Sequence, residues 1–347
     1  MRQWGRRGLC AAALVVAAAG MALPWSSAFT LQAAEPVSAK SETRVLIPGG
    51  IAVGVALHTQ GVLVVAKGQQ TSALRVGDVI LSVEEETVES AKDLAERVSA
   101  AQTDEVTLGV LRGGKQTVLE AAVPVDESDG QRRLGVWVRD STAGVGTLSY
   151  IDPASGAYGA LGHAIVDADT GDILDVRDGA ILNAQVVGVI RGQSGKAGEL
   201  RGSFLRENDQ IGTLSRNNGY GIYGQMERKP ETLLYPQGLP VGMRGDVHTG
   251  PATIIATVDG DGPREYAIEI VRCFTQNAPG PKGMVLRVTD EALLAVTGGI
   301  VQGMSGSPIL QDGRIVGAVT HVYLSDSTQG YGMYIEWMLE QSDGLSA

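Results

Sequence analysis

At 347 residues the chain has room for about two domains beyond a targeting segment, and 44% hydrophobic with 19% charged content describes a globular protein, not a disordered one. A net charge of −11 excludes the basic footprint that a nucleic-acid partner requires. Of the two cysteines, Cys10 lies in an N-terminal apolar run, which leaves Cys273 as the only thiol of the folded part and excludes both a disulfide-stapled scaffold and a cysteine zinc site.

In chain order, Arg2, Arg6 and Arg7 come first, then an apolar run from Leu9 to Leu23, then Pro24 and the small residues Ser26, Ser27 and Ala28. This is the order of a secretory signal, and the run is shorter than the roughly 20 residues of a membrane span. Residues 1–30 therefore read as a signal peptide or a membrane anchor, and either would export the rest of the chain across a bacterial membrane. Residues 31–42 are polar or small and read as a linker.

The next stretch carries an apolar segment from Val45 to Leu57, a strand-like Gly61–Ala66 and the element Leu74-Arg75-Val76-Gly77-Asp78-Val79-Ile80. A helix is predicted from Ser90 to Ala101, where Ala91, Leu94, Ala95 and Val98 recur at helical spacing. Two strands come after it, 105–111 and 116–123, joined by Arg112-Gly113-Gly114. This order resembles a PDZ domain over residues 43–126. Such domains capture a peptide end by adding it to a strand edge, with a glycine-containing loop donating backbone N–H groups. Val53-Gly54-Val55 is expected to be that peptide-binding loop.

From residue 133 to 347 the chain turns into short β-branched segments bounded by Gly, Asp and Asn, such as 146–151, 185–190, 252–258 and 283–288. These predict an all-β barrel or sandwich, and the length suits two packed barrels. The expected fold class is thus mainly β: a signal or anchor segment, a PDZ-like α+β domain, then a double β-barrel. Helices are expected at 291–295 and 335–341.

The chemistry concentrates in Gly303-Met304-Ser305-Gly306-Ser307-Pro308. This run resembles the Gly-x-Ser-Gly-x-Pro nucleophile loop of chymotrypsin-like serine proteases. Glycines let such a loop turn tightly, present one hydroxyl and aim backbone N–H groups at one point. A serine nucleophile needs a base, and there are four histidines. His58 reads as a surface strand residue and His248 as a solvated turn residue. His321 shares a strand face with Val319 and Tyr323 and reads as packing or substrate wall. His163, in Gly159-Ala160-Leu161-Gly162-His163, can be held at a barrel rim and is the candidate base. For the carboxylate that orients it, the residues alone leave Asp167, Asp169 and Asp290 open. Gly192-Gln193-Ser194-Gly195-Lys196 is too short for a phosphate loop, and no metal-ligand spacing occurs, so neither a cofactor nor a metal is expected.

With Tyr158–His163, Val285–Asp290 and Gly299–Ile309 behind the PDZ-like part, and Gly317–Val322, Gly330–Gly332 and Ile335–Met338 after them, the chain from residue 43 onward resembles the stage IV sporulation protein B peptidase family. The resemblance implies an exported, self-cleaving serine endopeptidase acting between the forespore and mother-cell membranes. It would cut a membrane-bound regulator and so trigger sigma-K activation. Its partners would be a peptide or membrane-protein substrate and its own N-terminal segment. Carried over by motif, His163 is the base, Ser305 the nucleophile and Asp290 the third member, with the backbone N–H groups of Gly303 and Ser305 as oxyanion hole. The contrasting expectation is an inactive PDZ peptide-binding module of the spore envelope.

Overall fold

The β-branched segments do become strands, and the computed structural model describes them across residues 44–68, 73–204 and 209–345. All of these belong to one unit, Glu42–Ala347. The signal or anchor segment and the linker lie outside the described residues. Among the described residues no helix is long and apolar enough to cross a membrane.

The chain opens with β1 (Val45–Pro48) and the long β2 (Ala52–Lys67). Then come β3 (Val79–Val83), β4 (Glu86–Thr87), helix α1 (Ala91–Ser99), β5 (Glu105–Arg112) and β6 (Lys115–Ala122), in the PDZ-like order. The Ser90 hydroxyl caps α1 by accepting the Asp93 N–H at 3.0 Å, a contact that stabilises a helix by about 1 kcal/mol. One turn apart, Leu94 and Val98 point inward and are buried. The two sequence landmarks of this part meet: Arg112, from the Arg-Gly-Gly hairpin, donates through Nε and Nη2 to the buried carboxylate of Asp78 at 2.8 and 2.6 Å. Burial pushes the Asp78 carboxyl up, but hydrogen bonds from Arg112 and the Arg75 N–H outweigh it and hold the group below the usual carboxylate range.

Next are β7 (Val136–Ile151), β8 (Ala157–Ala160), β9 (Val176–Ile190), β10 (Glu199–Phe204), β11 (Gln210–Thr213), β12 (Arg216–Asn218) and β13 (Gly221–Gln225). With the front of β2 they make a first barrel: β2 pairs with β7 and β9, β7 with β8, β8 with β13 and β9 with β11. Its ring returns from the end of β13 to β11 through a single bridge, Gly212 with Met226. After β14 (Leu239–Pro240), which pairs with β1, come β15 (Gly250–Ala256), β16 (Arg264–Cys273), β17 (Met284–Val288), helix α2 (Glu291–Thr297), β18 (Pro308–Gln311), β19 (Arg314–Tyr323), β20 (Asp326–Tyr334) and helix α3 (Ile335–Ser342). Six of these strands close a complete antiparallel barrel in the order β15-β16-β17-β20-β19-β18.

In the structure the two expected domains share strands. β1 and residues 52–58 of β2 do not belong to the PDZ-like part: Val53, Val55 and Leu57 share the first barrel's core with Leu148, Tyr158 and Ile181. The strand crosses into the PDZ sheet only after an irregular stretch, where its register on β7 jumps from His58↔Ser141 to Leu63↔Arg139. Beyond it, Val62 and Val64 pack with Leu74, Ile80 and Leu108 in a separate core. The PDZ-like part is therefore inserted into the first barrel and shares β2 and β7 with it. A 16-residue strand spans roughly 50 Å, long enough to serve two sheets in succession.

Candidate active site

Helix α2 ends at Gly298 in the left-handed conformation, φ 74°, and the chain then runs through buried Ile300 and Val301 into the 302–307 loop. Gly303 and Gly306 have φ of 95° and 98°. A side chain on Gly306 would place its Cβ 2.1 Å from the Thr147 carbonyl oxygen, so a glycine is needed where this loop meets the first barrel. In the loop Met304 N–H donates to Val301, Gly306 N–H to Val319 and Ser307 N–H to Met304. Among the described residues the N–H groups of Gly303 and Ser305 find no protein acceptor, which leaves both for a bound oxyanion.

His163 comes after β8 by way of Leu161 and Gly162, both at positive φ (68° and 69°). Its Nδ1 lies 2.8 Å from the carbonyl oxygen of Ala164. A carbonyl only accepts, so Nδ1 carries a proton here, and in the neutral ring that leaves the lone pair on Nε2, the tautomer a general base needs. The next turn is pinned by Asn217, which accepts the Ile165 N–H at 2.8 Å and donates to the carbonyls of Ile165 and Leu174 at 2.8 and 2.9 Å.

His163 and Ser305 both line one cavity of about 340 Å³, with Val55, Val145, Leu161 and Gly303. Thr147, a buried residue of β7, joins their two loops. Its carbonyl accepts the Leu161 N–H at 3.1 Å, its N–H donates to Ser305 O at 3.2 Å, and its hydroxyl donates to Gly303 O at 2.7 Å. Sequence reasoning registered Thr147 only as part of a strand. Its role depends on a long-range contact that no local pattern encodes. The Ser305 hydroxyl itself donates to Thr320 O at 2.9 Å. The ring of the next residue, His321, lies 5.8 Å from that of His163, centroid to centroid.

No carboxylate bonds to His163 among the described residues, the expected third member Asp290 included. Asp290 is the N-cap of α2: Oδ1 accepts the Leu293 N–H at 2.9 Å and Oδ2 the Ala267 N–H at 3.2 Å. An Asp directly before Glu-Ala-Leu-Leu is well suited to cap a helix, and the fold uses it so. Asp167 is buried, accepts the N–H groups of Asp169 and Thr170 and pairs with Arg139, which also holds Asp169. His58 and His248 are exposed and pair with Asp178 and Asp312 at 2.6 and 2.9 Å. Among the described residues no three His, Cys, Asp or Glu side chains gather as a metal site.

The expected peptide-binding loop is also corrected. Val53, Gly54 and Val55 lie inside β2, paired with Gly146, Val145 and Gly144 on one side and with Asn183, Leu182 and Ile181 on the other. Both edges are occupied and the three residues are buried, so no N–H remains for a carboxylate. The free edge is elsewhere. The first residues of β7, 136–139, pair with β2 on one side only, and no strand takes their other edge among the described residues. Between that edge and α1 runs a groove of about 980 Å³, lined by Ala91, Leu94, Ala95 and Val98 of the helix and by Val136 and Trp137 of the strand.

The family models define the class, a serine protease that carries a PDZ domain. The family model for SpoIVB peptidase S55 matches residues 130–339, and that for a PDZ domain matches 49–123. The chain belongs to the SpoIVB peptidase S55 family. Among solved structures, the Rv3671c protease of M. tuberculosis in its active form is similar at 14% identity and a TM-score of 0.32, over 59% of this chain and 75% of that one. The HtrA-type protease AlgW with a decapeptide is similar at 9% identity and a TM-score of 0.34, over 85% and 64%. The PDZ domain of the SdrC-like protein from Listeria monocytogenes is similar at 17% identity and a TM-score of 0.21, over 23% and 87%. No curated sequence matches the chain.

Proposed function

We propose that this chain is an exported serine endopeptidase with Ser305 as nucleophile and His163 as base. The observation that carries the reading is the shared cavity in which Ser305 and His163 meet beside two unengaged N–H groups, those of Gly303 and Ser305. On substrate binding the Ser305 hydroxyl leaves the Thr320 carbonyl and turns to His163. Nε2 takes its proton as Oγ attacks the scissile carbonyl, and the oxyanion settles on the N–H groups of Gly303 and Ser305. The imidazolium then protonates the leaving amine. Water, deprotonated by the same nitrogen, hydrolyses the acyl-enzyme and regenerates Ser305.

An extended segment of the protein substrate is the occupant of the groove between α1 and β7. A strand edge with unpaired backbone groups beside an apolar helix face is the arrangement that adds a peptide strand. The N-terminal 1–30 segment exports or anchors the chain, and residues 31–42, mostly polar or small and unpatterned in sequence, are its own first cleavage region. The sporulation role, cleavage of a membrane-bound regulator that leads to sigma-K activation, rests on the family resemblance.

The second reading, an inactive peptide-binding module, draws on the resting hydrogen bond of Ser305 to Thr320 instead of His163. A fluorophosphonate probe separates the two. Wild type should label on a single residue, while Ser305→Ala should not label and His163→Ala should label at least 10²–10⁴ times more slowly, the range contributed by a general base. Unlabelled, folded wild type would establish the inactive module.

A further inference from the structure

We infer that the part of the shared cavity over Gly144 is a specificity subsite, which takes a bulky aliphatic side chain from the substrate residue that follows the scissile bond. The inference rests on Ser305 and His163 as nucleophile and base, and names what their substrate presents. Proton transfer sets the direction of the substrate. The imidazole that deprotonates Ser305 must also protonate the leaving amine, so that amine passes within hydrogen-bond reach of His163. The side chain of the residue carrying the amine branches from the very next atom. The space beside it is the cavity that His163 lines together with Gly303 and Ser305.

Two glycines of β7 shape this space. Gly144 and Gly146 stand opposite Val55 and Val53 of β2, and alternation puts both on the face that Val53 and Val55 turn to the first barrel's core. A Cβ on Gly146 would lie 1.8 Å from Leu161 Cδ2, so Leu161 fills the space there. A Cβ on Gly144 would meet nothing within 4 Å, and Gly144 is not at positive φ. Neither crowding nor backbone conformation calls for a glycine at 144. Glycine inside a strand weakens it and marks a place where another group comes close. Val55, Leu161, Ile165 and Val166 form apolar walls, and among the described residues no Asp, Glu, Lys or Arg lines the cavity. A charge brought in there would lose its water without gaining a partner, whereas an aliphatic side chain gains by leaving water. The volume of about 340 Å³ is at the low end of the about 300–1,000 Å³ of binding pockets, room for one such side chain and the backbone that carries it.

The test begins with a mixed peptide library digested by wild type, with the new N-termini read by mass spectrometry. Leu, Ile, Val and Met should be enriched there, and Asp and Lys depleted. One cleaved peptide is then made with Leu, Gly or Asp after the scissile bond, and kcat/KM is measured for wild type and Gly144→Leu, with melting curves to confirm folding. Wild type should favour Leu over Gly by about 10–200-fold, the discrimination that an apolar pocket gives, and should disfavour Asp at least as strongly as Gly. Gly144→Leu occupies the subsite with its own side chain and should bring the Leu-to-Gly ratio close to one. A ratio is read because any general loss of activity cancels in it. If Gly144→Leu does not fold, Gly144→Ala, which adds a single methyl, should lower the ratio in the same direction. Random or acidic residues at the new N-termini overturn the inference. So does a wild-type ratio in folded Gly144→Leu or Gly144→Ala, which would make the gap a packing void. These outcomes leave the peptidase reading standing, whereas wild type that neither cleaves nor labels with a fluorophosphonate overturns that reading and this inference with it.

Discussion

The two barrels support the two halves of the active site in different ways. The second barrel closes through six antiparallel ladders, three of them with register shifts, and its loop delivers Ser305 from between α2 and β18. The first closes on one bridge, Gly212 with Met226, and has the PDZ-like part let into two of its strands. Ladder hydrogen bonds are cooperative and hold a barrel rigid, whereas a seam of one bridge opens at lower cost. The nucleophile loop thus belongs to the half closed by strand ladders and the base to the half closed by a bridge, with Thr147 bonded to both loops. Because β7 begins at the groove beside α1 and ends beyond Thr147, one strand links that groove to the half that carries His163.

The largest effect that would test this contrast is expected in the first barrel. Gly54→Glu puts an unpaired charge into a buried, doubly paired position of β2. The cost should exceed about 4 kcal/mol, a large part of the about 5–15 kcal/mol that holds a domain folded. Circular dichroism melting should show a lost or strongly lowered transition. A soluble variant with the wild-type melting curve, impaired only in peptide binding, would restore residues 53–55 as a peptide loop.

A smaller effect is expected at the join. Thr147→Val keeps the shape but strands the Gly303 carbonyl, which should cost about 1–3 kcal/mol of stability. It should also slow probe labelling about 10²-fold by loosening the oxyanion loop. Normal labelling in a destabilised Thr147→Val protein would show that the two loops hold their geometry independently.

The smallest effect belongs to the second barrel. Asp290→Ala removes the α2 cap and should cost about 0.5–2 kcal/mol in denaturant unfolding, whereas Asp290→Asn should cost little because asparagine caps as well. Both should label at the wild-type rate. A drop of about 10³–10⁴ in Asp290→Asn would return the carboxylate to the base.

Local patterns made much of this molecule legible. The period of Ala91, Leu94, Ala95 and Val98 marked α1, and Glu291 and Ile335 begin helices where expected. The Gly-x-Ser-Gly-x-Pro run announced a turn presenting Ser305, because glycine at positive φ is a local requirement. Asp290 misled because one carboxylate before a helix satisfies both a cap and a catalytic motif, and the choice depends on where His163 lies in space. Val53-Gly54-Val55 misled for a related reason: an apolar Gly-containing run suits a loop mouth and a central strand equally, until its neighbours are known.

The sequence therefore carried the candidate nucleophile loop, the candidate base and the PDZ-like element order through short motifs that resemble known families, and the β-rich character of the remainder through spacing and composition. Tertiary structure decided which sheet each half of β2 joins, that a free edge falls at Val136–Arg139, that Thr147 ties the His163 and Ser305 loops together, and that the rings of His163 and His321 lie side by side. Each of these is a pairing between segments distant in sequence. Such pairings are set by which edges and apolar faces remain unsatisfied once the neighbouring strands have folded, and a one-dimensional pattern does not record that.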